Sequence, residues 1–179
     1  MATYPQRLVQ TRSLADGTQV TLRPIRPQDA GLEQEFVRHL SPESRYFRFM
    51  GTLQELSPRK LKSFAEVDYE RSMAFIATLA RDAQDEGRQE AIGFARYVAT
   101  EQPTTCEFAI AVGDAWHRSG VAGILMNALM DAARERGFKT MQGIVLRSNH
   151  TMLKFARQLG FALCADPLDA DTVAVERAL

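Results

Sequence analysis

Apolar side chains follow two different periods on either side of residue 113. In residues 107–112, Phe108, Ile110 and Val112 alternate with polar or small residues, and this period of two predicts a β-strand. From residue 121 onward the apolar side chains recur three and four positions apart, which predicts an amphipathic helix: Val121, Ile124, Leu125, Ala128, Leu129 and Ala132. The junction between the two elements holds small residues: Ser119, Gly120, Ala122 and Gly123.

The rest of the chain shows the same two periods in alternation. Apolar runs and period-two patterns predict strands in several segments: 7–14, 19–23, 73–80, 91–98, 106–112, 140–146, 161–164 and 172–175. Helical spacing predicts helices beginning near these positions: 27, 42, 58, 121 and 149. This order of strands and helices predicts a mixed α/β fold around a central sheet.

Turn and cap residues mark the ends of these elements. The pair Asp16-Gly17 indicates a hairpin turn. The Ser-Pro pairs at 41–42 and 57–58 each place an N-cap residue before a proline, so we expect a helix to begin at each. Gly137 predicts the end of the long helix. Residues 81–90 are charged and polar, which indicates a loop or hairpin connection.

The junction at residues 117–123 has the properties of an anion site. The first N–H groups of a helix have no partner inside the helix, and small residues let a phosphate approach them. A glycine in a strand-to-helix loop is also common without any ligand, so both interpretations stay open for this segment alone. The dinucleotide-binding glycine pattern is missing here, and so is the Gly-Lys-Ser/Thr ending of a Walker loop.

The same segment resembles the acyl-CoA-binding motif of the GNAT N-acetyltransferase superfamily, Gln/Arg-x-x-Gly-x-Gly/Ala. The chain has His117-Arg118-Ser119-Gly120-Val121-Ala122, in which the glycine and the alanine match and His117 departs from Gln or Arg. Asn149 and Leu159-Gly160-Phe161 match a second block of the family. The resemblance covers roughly residues 20–175, and segments 22–30 and 40–49 look like the acetyltransferase domain of bacterial Pat-type protein lysine acetyltransferases.

The resemblance implies a fold and a ligand. The fold would be a central, mostly antiparallel, twisted sheet of about six to seven strands, with helices on both faces, in one domain over residues 1–179. The ligand would be acetyl-CoA as acyl donor, and the acceptor an amine, either a protein lysine or a small molecule. The implied cofactor-binding residues are Ile110, Ala111, Val112, His117, Arg118, Ser119, Gly120, Val121, Ala122, Gly123 and Asn149.

Transfer to an amine requires a base, because a lysine amine has a pKa near 10.4 and its neutral form costs about 4–5 kcal/mol at pH 7. Glu107 is the candidate, since it lies in an otherwise apolar strand where burial would raise its pKa. A salt-bridged or exposed strand-edge glutamate is the alternative. The family resemblance supports the base role, because Pat-type enzymes are thought to use a glutamate on this strand.

The roles of several other residues stay open. Many GNAT enzymes have a tyrosine where this chain has Phe155, so no general acid is assigned. This departure also favours an alternative function, a non-catalytic acyl-CoA sensor or regulatory module, and a scaffold without a ligand is a third class. Between the early helices, Arg45, Tyr46 and Arg48 would face the acceptor side in a GNAT fold.

Composition limits the remaining classes of protein and of function. The 179 residues suit one domain, and 45% hydrophobic with 25% charged residues is typical of a globular protein. Because 22 basic residues balance 22 acidic ones, we expect no general nucleic-acid binding. We see no signal peptide and no membrane-spanning run, and Cys106 and Cys164 suggest free thiols, so we expect a cytoplasmic protein. The scattered histidines predict no metal site, and a homodimer is left open.

Overall fold

The computed structural model describes residues 3–80 and 89–179. Eight strands lie within these residues: β1 (Gln10–Ser13), β2 (Gln19–Pro24), β3 (Ser72–Ala80), β4 (Gln89–Ala99), β5 (Thr105–Val112), β6 (Thr140–Leu146), β7 (Ala162–Ala165) and β8 (Thr172–Ala178). The same residues contain five α-helices: α1 (Ala30–His39), α2 (Pro42–Phe49), α3 (Pro58–Ala65), α4 (Val121–Glu135) and α5 (His150–Gln158).

The described strands form one sheet in the order β1-β2-β3-β4-β5-β6-β8-β7. Neighbours are antiparallel except β5 and β6, which are parallel and joined through α4. The expected mixed α/β fold with a mostly antiparallel sheet is therefore confirmed, with eight strands in the described residues instead of six or seven.

Helices cover both faces of the sheet, as expected. Leu125 of α4 and Leu153 of α5 belong to the same buried cluster as Phe108 of β5. Phe36 of α1 belongs to a second cluster, with Phe94 of β4. We call these the α4 face and the α1–α3 face. Strand alternation sorts the β5 side chains between them, with even-numbered residues on the α4 face and odd-numbered residues on the α1–α3 face.

The predicted caps are confirmed. Ser41 Oγ accepts a hydrogen bond from Ser44 N (3.1 Å) at the start of α2, and Ser57 Oγ accepts one from Lys60 N (3.3 Å) at the start of α3. Gly137, just beyond α4, has φ +86°. These local hydrogen bonds satisfy groups that the helices cannot satisfy themselves, which explains why sequence placed them correctly.

The structure corrects the start of the first predicted strand and describes only the end of the predicted connection over 81–90. The strand predicted over 7–14 is wrong at its start: Gln6–Leu8 form a 3-10 helix, with Leu8 N donating to Pro5 O (2.9 Å), and β1 begins at Gln10. Of the predicted connection over 81–90, residues 81–88 lie outside the described residues, and Gln89 begins β4.

Among the described residues, no helix has the length and apolar character needed to cross a bilayer.

Candidate functional site

The sheet opens between β5 and β6. These strands pair only from Thr105↔Thr140 to Glu107↔Gln142, whereas β5 stays paired with β4 as far as Val112. The two strands therefore diverge beyond Glu107 and leave a gap beside the second half of β5. No bulge causes the opening, because Gly113 N donates to Ile92 O (2.8 Å) and continues the regular β4–β5 ladder.

The backbone of β5 is divided between β4 and this gap. Hydrogen bonds from Gly113 N to Ile92 O and from Thr100 N to Thr105 O set the alternation of the antiparallel ladder. Odd-numbered residues of β5, Ala111 among them, therefore direct their N–H and C=O groups to β4. The backbone groups of Ile110 and Val112 point into the gap. These two are the predicted contacts whose main chain a ligand in the gap can reach.

The loop after β5 leads into α4 with its backbone donors free. Gly120 has φ +95° and precedes the first helical residue, a conformation that favours glycine. Among the described residues, the N–H groups of Gly120, Ala122 and Gly123 have no protein acceptor. Val121 N donates only to Ser119 Oγ, at 3.4 Å, so four consecutive amides stand at the positive end of the helix.

The predicted loop side chains have individual positions. His117 Nε2 donates to the Val112 carbonyl (3.1 Å), so the imidazole holds the loop against the end of β5. Arg118 is exposed and has φ +62°. The side chain of Val121 is fully buried in the cluster of the α4 face. Val121 therefore anchors the first turn of α4 to the sheet while its backbone stays at the surface.

Glu107 lies at the base of the gap, on the α1–α3 face. Its ladder partner is Val98, which is 53% exposed on that face, and its other neighbour is Gln142 of β6. The expected burial of Glu107 is wrong, because its side chain is exposed. The reason is tertiary: α1–α3 pack over the first half of the sheet, and the carboxylate stands beyond them.

Asn149 precedes α5, the helix that follows β6, and Phe155 lies within that helix. Asn149 Oδ1 accepts a hydrogen bond from Met152 N (3.1 Å), so Asn149 is the N-cap of α5. Phe155 is half-buried and packs against the cluster of the α4 face. Arg147 donates to Ala170 O (3.0 Å) and holds the β7–β8 loop.

Hydrogen bonds connect the start of α2 to the loop after β5, and the sequence does not predict this contact. The Asp114 carboxylate accepts hydrogen bonds from Ser41 N (2.9 Å), Ser41 Oγ (2.9 Å) and Ser44 Oγ (2.7 Å). Burial alone would raise the pKa of Asp114, but these hydrogen bonds outweigh it and lower the pKa. The start of α2 is therefore held against the end of β5. Its partners are about 70 residues apart, and only the Ser41 cap left a signal in the sequence.

A buried ionic cluster also lies on the α1–α3 face. Glu33 Oε1 pairs with Arg96 Nη2 at 3.0 Å, with side chains only 4% and 11% exposed, and burial raises the pKa of Glu33. Arg96 also donates to Phe64 O and lies 3.8 Å over its ring. Arg48 of α2 faces the rings of Phe49 and Phe64, and burial lowers its pKa to about 10.

The surroundings of Cys106 do not favour nucleophilic catalysis. Burial raises the pKa of Cys106 to about 12, so it remains a thiol and not a nucleophilic thiolate at neutral pH. Within residues 3–80 and 89–179, no group of three His, Cys, Asp or Glu side chains is arranged to hold a metal ion.

A diverging parallel strand pair, free amides at the helix after it and a carboxylate at the base of the gap therefore lie along one strand, β5. The Acetyltransferase (GNAT) family model matches residues 35–161, and the chain belongs to this family. The chain is similar to the Pseudomonas aeruginosa protein named acetyltransferase PA5475, with 37% identity over 161 residues, covering 90% of this chain and 84% of that protein.

Two further relatives bear the name Pat. Acetyltransferase Pat of Mycolicibacterium smegmatis is 29% identical over 140 residues, covering 78% of this chain but 40% of that longer protein. The crystal structure of the GNAT domain of S. lividans PAT superimposes with a TM-score of 0.88 and 28% identity, covering 99% of this chain and 100% of that domain. The predicted resemblance to the GNAT superfamily and its Pat members is therefore confirmed.

Proposed function

We propose that this protein is an acetyl-CoA-dependent N-acetyltransferase. The observation that carries the proposal is the alignment of three features along β5: free amides at the start of α4, backbone groups of Ile110 and Val112 in the gap, and the exposed Glu107 carboxylate at its base. Pyrophosphate fits the amides, and the amides of a pantetheine arm fit the strand edge. The thioester then reaches the α1–α3 face beside Glu107.

In the proposed reaction, the acceptor amine attacks the thioester carbonyl directly. Glu107 takes the ammonium proton, directly or through one water, and the neutral amine forms the C–N bond. The backbone N–H of Ile110, the nearer of the two to Glu107, stabilises the developing oxyanion. As the C–S bond breaks, the attacking nitrogen loses its second proton to water, and the CoA thiolate takes a proton from water, since Phe155 has none to give. Exposure of Glu107 gives it the solvent contact that a water-mediated transfer needs.

We propose a protein lysine as the acceptor. Glu107 stands on an open face, beside Val98 and near Ile144, which are 53% and 39% exposed. An open surface with exposed apolar side chains accepts a segment of another protein better than it encloses a small amine. The relatives named Pat support the same choice.

Free thiols at Cys106 and Cys164 support a reducing, cytoplasmic compartment.

The test measures CoA release from acetyl-CoA with a panel of lysine peptides. We expect Glu107→Gln to lower kcat by about 10²- to 10⁴-fold, the usual contribution of a general base, without changing acetyl-CoA affinity. Glu176→Gln is the matched control, because Glu176 is an exposed carboxylate of β8 on the same sheet face. Full activity of Glu107→Gln would show that the base role is wrong.

The same assay distinguishes the enzyme from the second candidate, an acyl-CoA sensor, which Phe155 favours. A sensor binds acetyl-CoA and turns over no acceptor. Binding to the native state should add about 2.7 kcal/mol of stability at a hundredfold excess over Kd. Absence of any stabilisation by acetyl-CoA would contradict both candidates.

A further inference from the structure

The buried cluster on the α1–α3 face is unbalanced in charge. Arg48 and Arg96 carry two positive charges, and Glu33 carries one negative charge at most, because burial favours its neutral form. Charges removed from water are stabilised in proteins when they are paired and hydrogen-bonded. Arg96 meets this requirement through Glu33 and the Phe64 carbonyl. One positive charge of the cluster remains without a counter-charge.

That charge is on Arg48. Among residues 3–80 and 89–179, its guanidinium has no hydrogen bond and no ion pair, and its nearest aromatic neighbours are Phe49 at 4.9 Å and Phe64 at 5.7 Å. The side chain is half-buried, so one side is accessible. Two rings therefore orient a partly desolvated guanidinium whose five N–H donors are unused. Such a group is suited to bind a planar anion with two parallel hydrogen bonds.

The position of Arg48 relates it to Glu107. Helix α2 lies against β5, and Asp114 holds the start of α2 at the end of that strand. Arg96, beside Arg48, is paired with Ala109 in the ladder, and Glu107 is two residues further along the same face. Two residues of a strand span about 7 Å. Arg48 and Glu107 therefore lie over the same face of the sheet, Arg48 at the edge of the helices and Glu107 about 7 Å along β5 from the ladder partner of Arg96.

We infer that Arg48 binds a carboxylate of the acceptor, a short distance from the amine that Glu107 deprotonates. The inference rests on the proposed function and specifies its substrate class: an amine that carries a nearby negative charge. In a protein acceptor the carboxylate is an Asp or Glu side chain within about two or three residues of the lysine, because an extended chain rises about 3.3 Å per residue. In a small acceptor it is the carboxylate of the molecule itself.

The experiment uses two pairs of acceptors that differ only in this charge. One pair is a lysine peptide with Glu or Gln two residues from the lysine. The other is Nα-acetyl-lysine and its carboxamide, which share the same ε-amine. We expect the charged member of at least one pair to have a KM about tenfold lower, the effect of one charge-assisted contact, with kcat unchanged. The pair that shows the difference identifies the source of the carboxylate.

Variants then assign the effect to Arg48. Arg48→Gln should remove the difference between charged and neutral acceptors, and Arg48→Lys should keep part of it. Arg59→Gln is the control, because Arg59 is an exposed residue of the neighbouring helix α3. It should leave the difference intact. Equal KM values within both pairs for the wild-type protein, with normal turnover, would overturn the inference and leave the proposed function standing.

A binding measurement covers the cases in which a variant does not fold or no acceptor reacts. Peptides with norleucine in place of the lysine are titrated calorimetrically into the wild-type protein in the presence of CoA. Tighter binding of the Glu peptide than of the Gln peptide supports the carboxylate site even if no peptide is acetylated, a result that would contradict only the proposed function. Equal binding of both peptides, together with equal binding of Nα-acetyl-norleucine and its carboxamide, would overturn the inference.

Discussion

Gly143 lies where β5 and β6 begin to diverge, and a methyl group has no room there. An ideal Cβ on Gly143 would stand 2.6 Å from Phe108 Cε1 and 3.0 Å from Phe108 Cζ. The Phe108 ring cannot easily move away, because it packs against Phe161 with a centroid distance of 5.2 Å and both side chains are buried. We therefore expect Gly143→Ala to force the ring out of its position and to lower the free energy of unfolding.

The magnitude follows from two opposing effects. Overpacking a filled core costs about 1–3 kcal/mol. Replacing glycine by alanine restricts the unfolded chain and returns about 0.4–1 kcal/mol. The net loss should be about 1–2 kcal/mol, and at about 2–4 °C per kcal/mol for a domain of this size it lowers Tm by roughly 2–8 °C.

Equilibrium unfolding in urea checks this estimate, and a double-mutant cycle identifies the cause. Phe108→Leu removes the ring edge that meets the new methyl group, so Gly143→Ala should cost less in that background by at least about 1 kcal/mol. Gly31→Ala is the control: no atom lies within 4 Å of a Cβ there, and in helix α1 the change should stabilise by up to about 1 kcal/mol. An unchanged stability of Gly143→Ala, or strictly additive costs in the cycle, would refute the reasoning.

Two predictions concern the loop between β5 and α4. Gly120→Ala puts a side chain at φ +95°, so it should cost about 1–2 kcal/mol of strain and weaken acetyl-CoA binding; calorimetric titration beside Gly31→Ala checks this, and unchanged affinity would contradict the amide site. Asp114→Asn removes charge-assisted bonds from Ser41 and Ser44 and should cost about 1 kcal/mol at this exposed position, measured by urea unfolding at neutral pH. Because the folded-state pKa of Asp114 is lowered, its contribution is present above its unfolded pKa and is lost as pH falls through the folded value. The Asn variant should therefore differ least from wild type in acid, and a constant difference at all pH values would argue against this role.

Much of the fold was predictable because its signals are local. The strand over 106–112 and the helix after it follow from side-chain periods within one element. The Ser41 and Asn149 caps follow from hydrogen bonds that span three residues. The start of β1 was missed because a turn bonded to Pro5 competes with an extended chain, and alternation does not report that competition.

The candidate site was only partly predictable. Residues 117–123 were identified because a glycine-rich junction and its helix are contiguous, and their free amides follow from helix geometry. Which β5 amides face the gap depends on the ladder register with β4, so Ile110 and Val112 could not be separated from Ala111 by sequence. Long-range partners stayed hidden as well: Arg48 was only one of several acceptor-side candidates until its neighbours were known.

The sequence by itself determined the elements, their caps and the family, since these depend on periods and motifs within short stretches of chain. The tertiary structure decided how those elements meet. It placed Glu107 in solvent instead of in the core, ended the β5–β6 pairing at that residue, and brought Arg48 near Arg96, whose carboxylate partner is Glu33. Burial and charge balance at a site are sums over residues distant in sequence, and only folding brings those residues together.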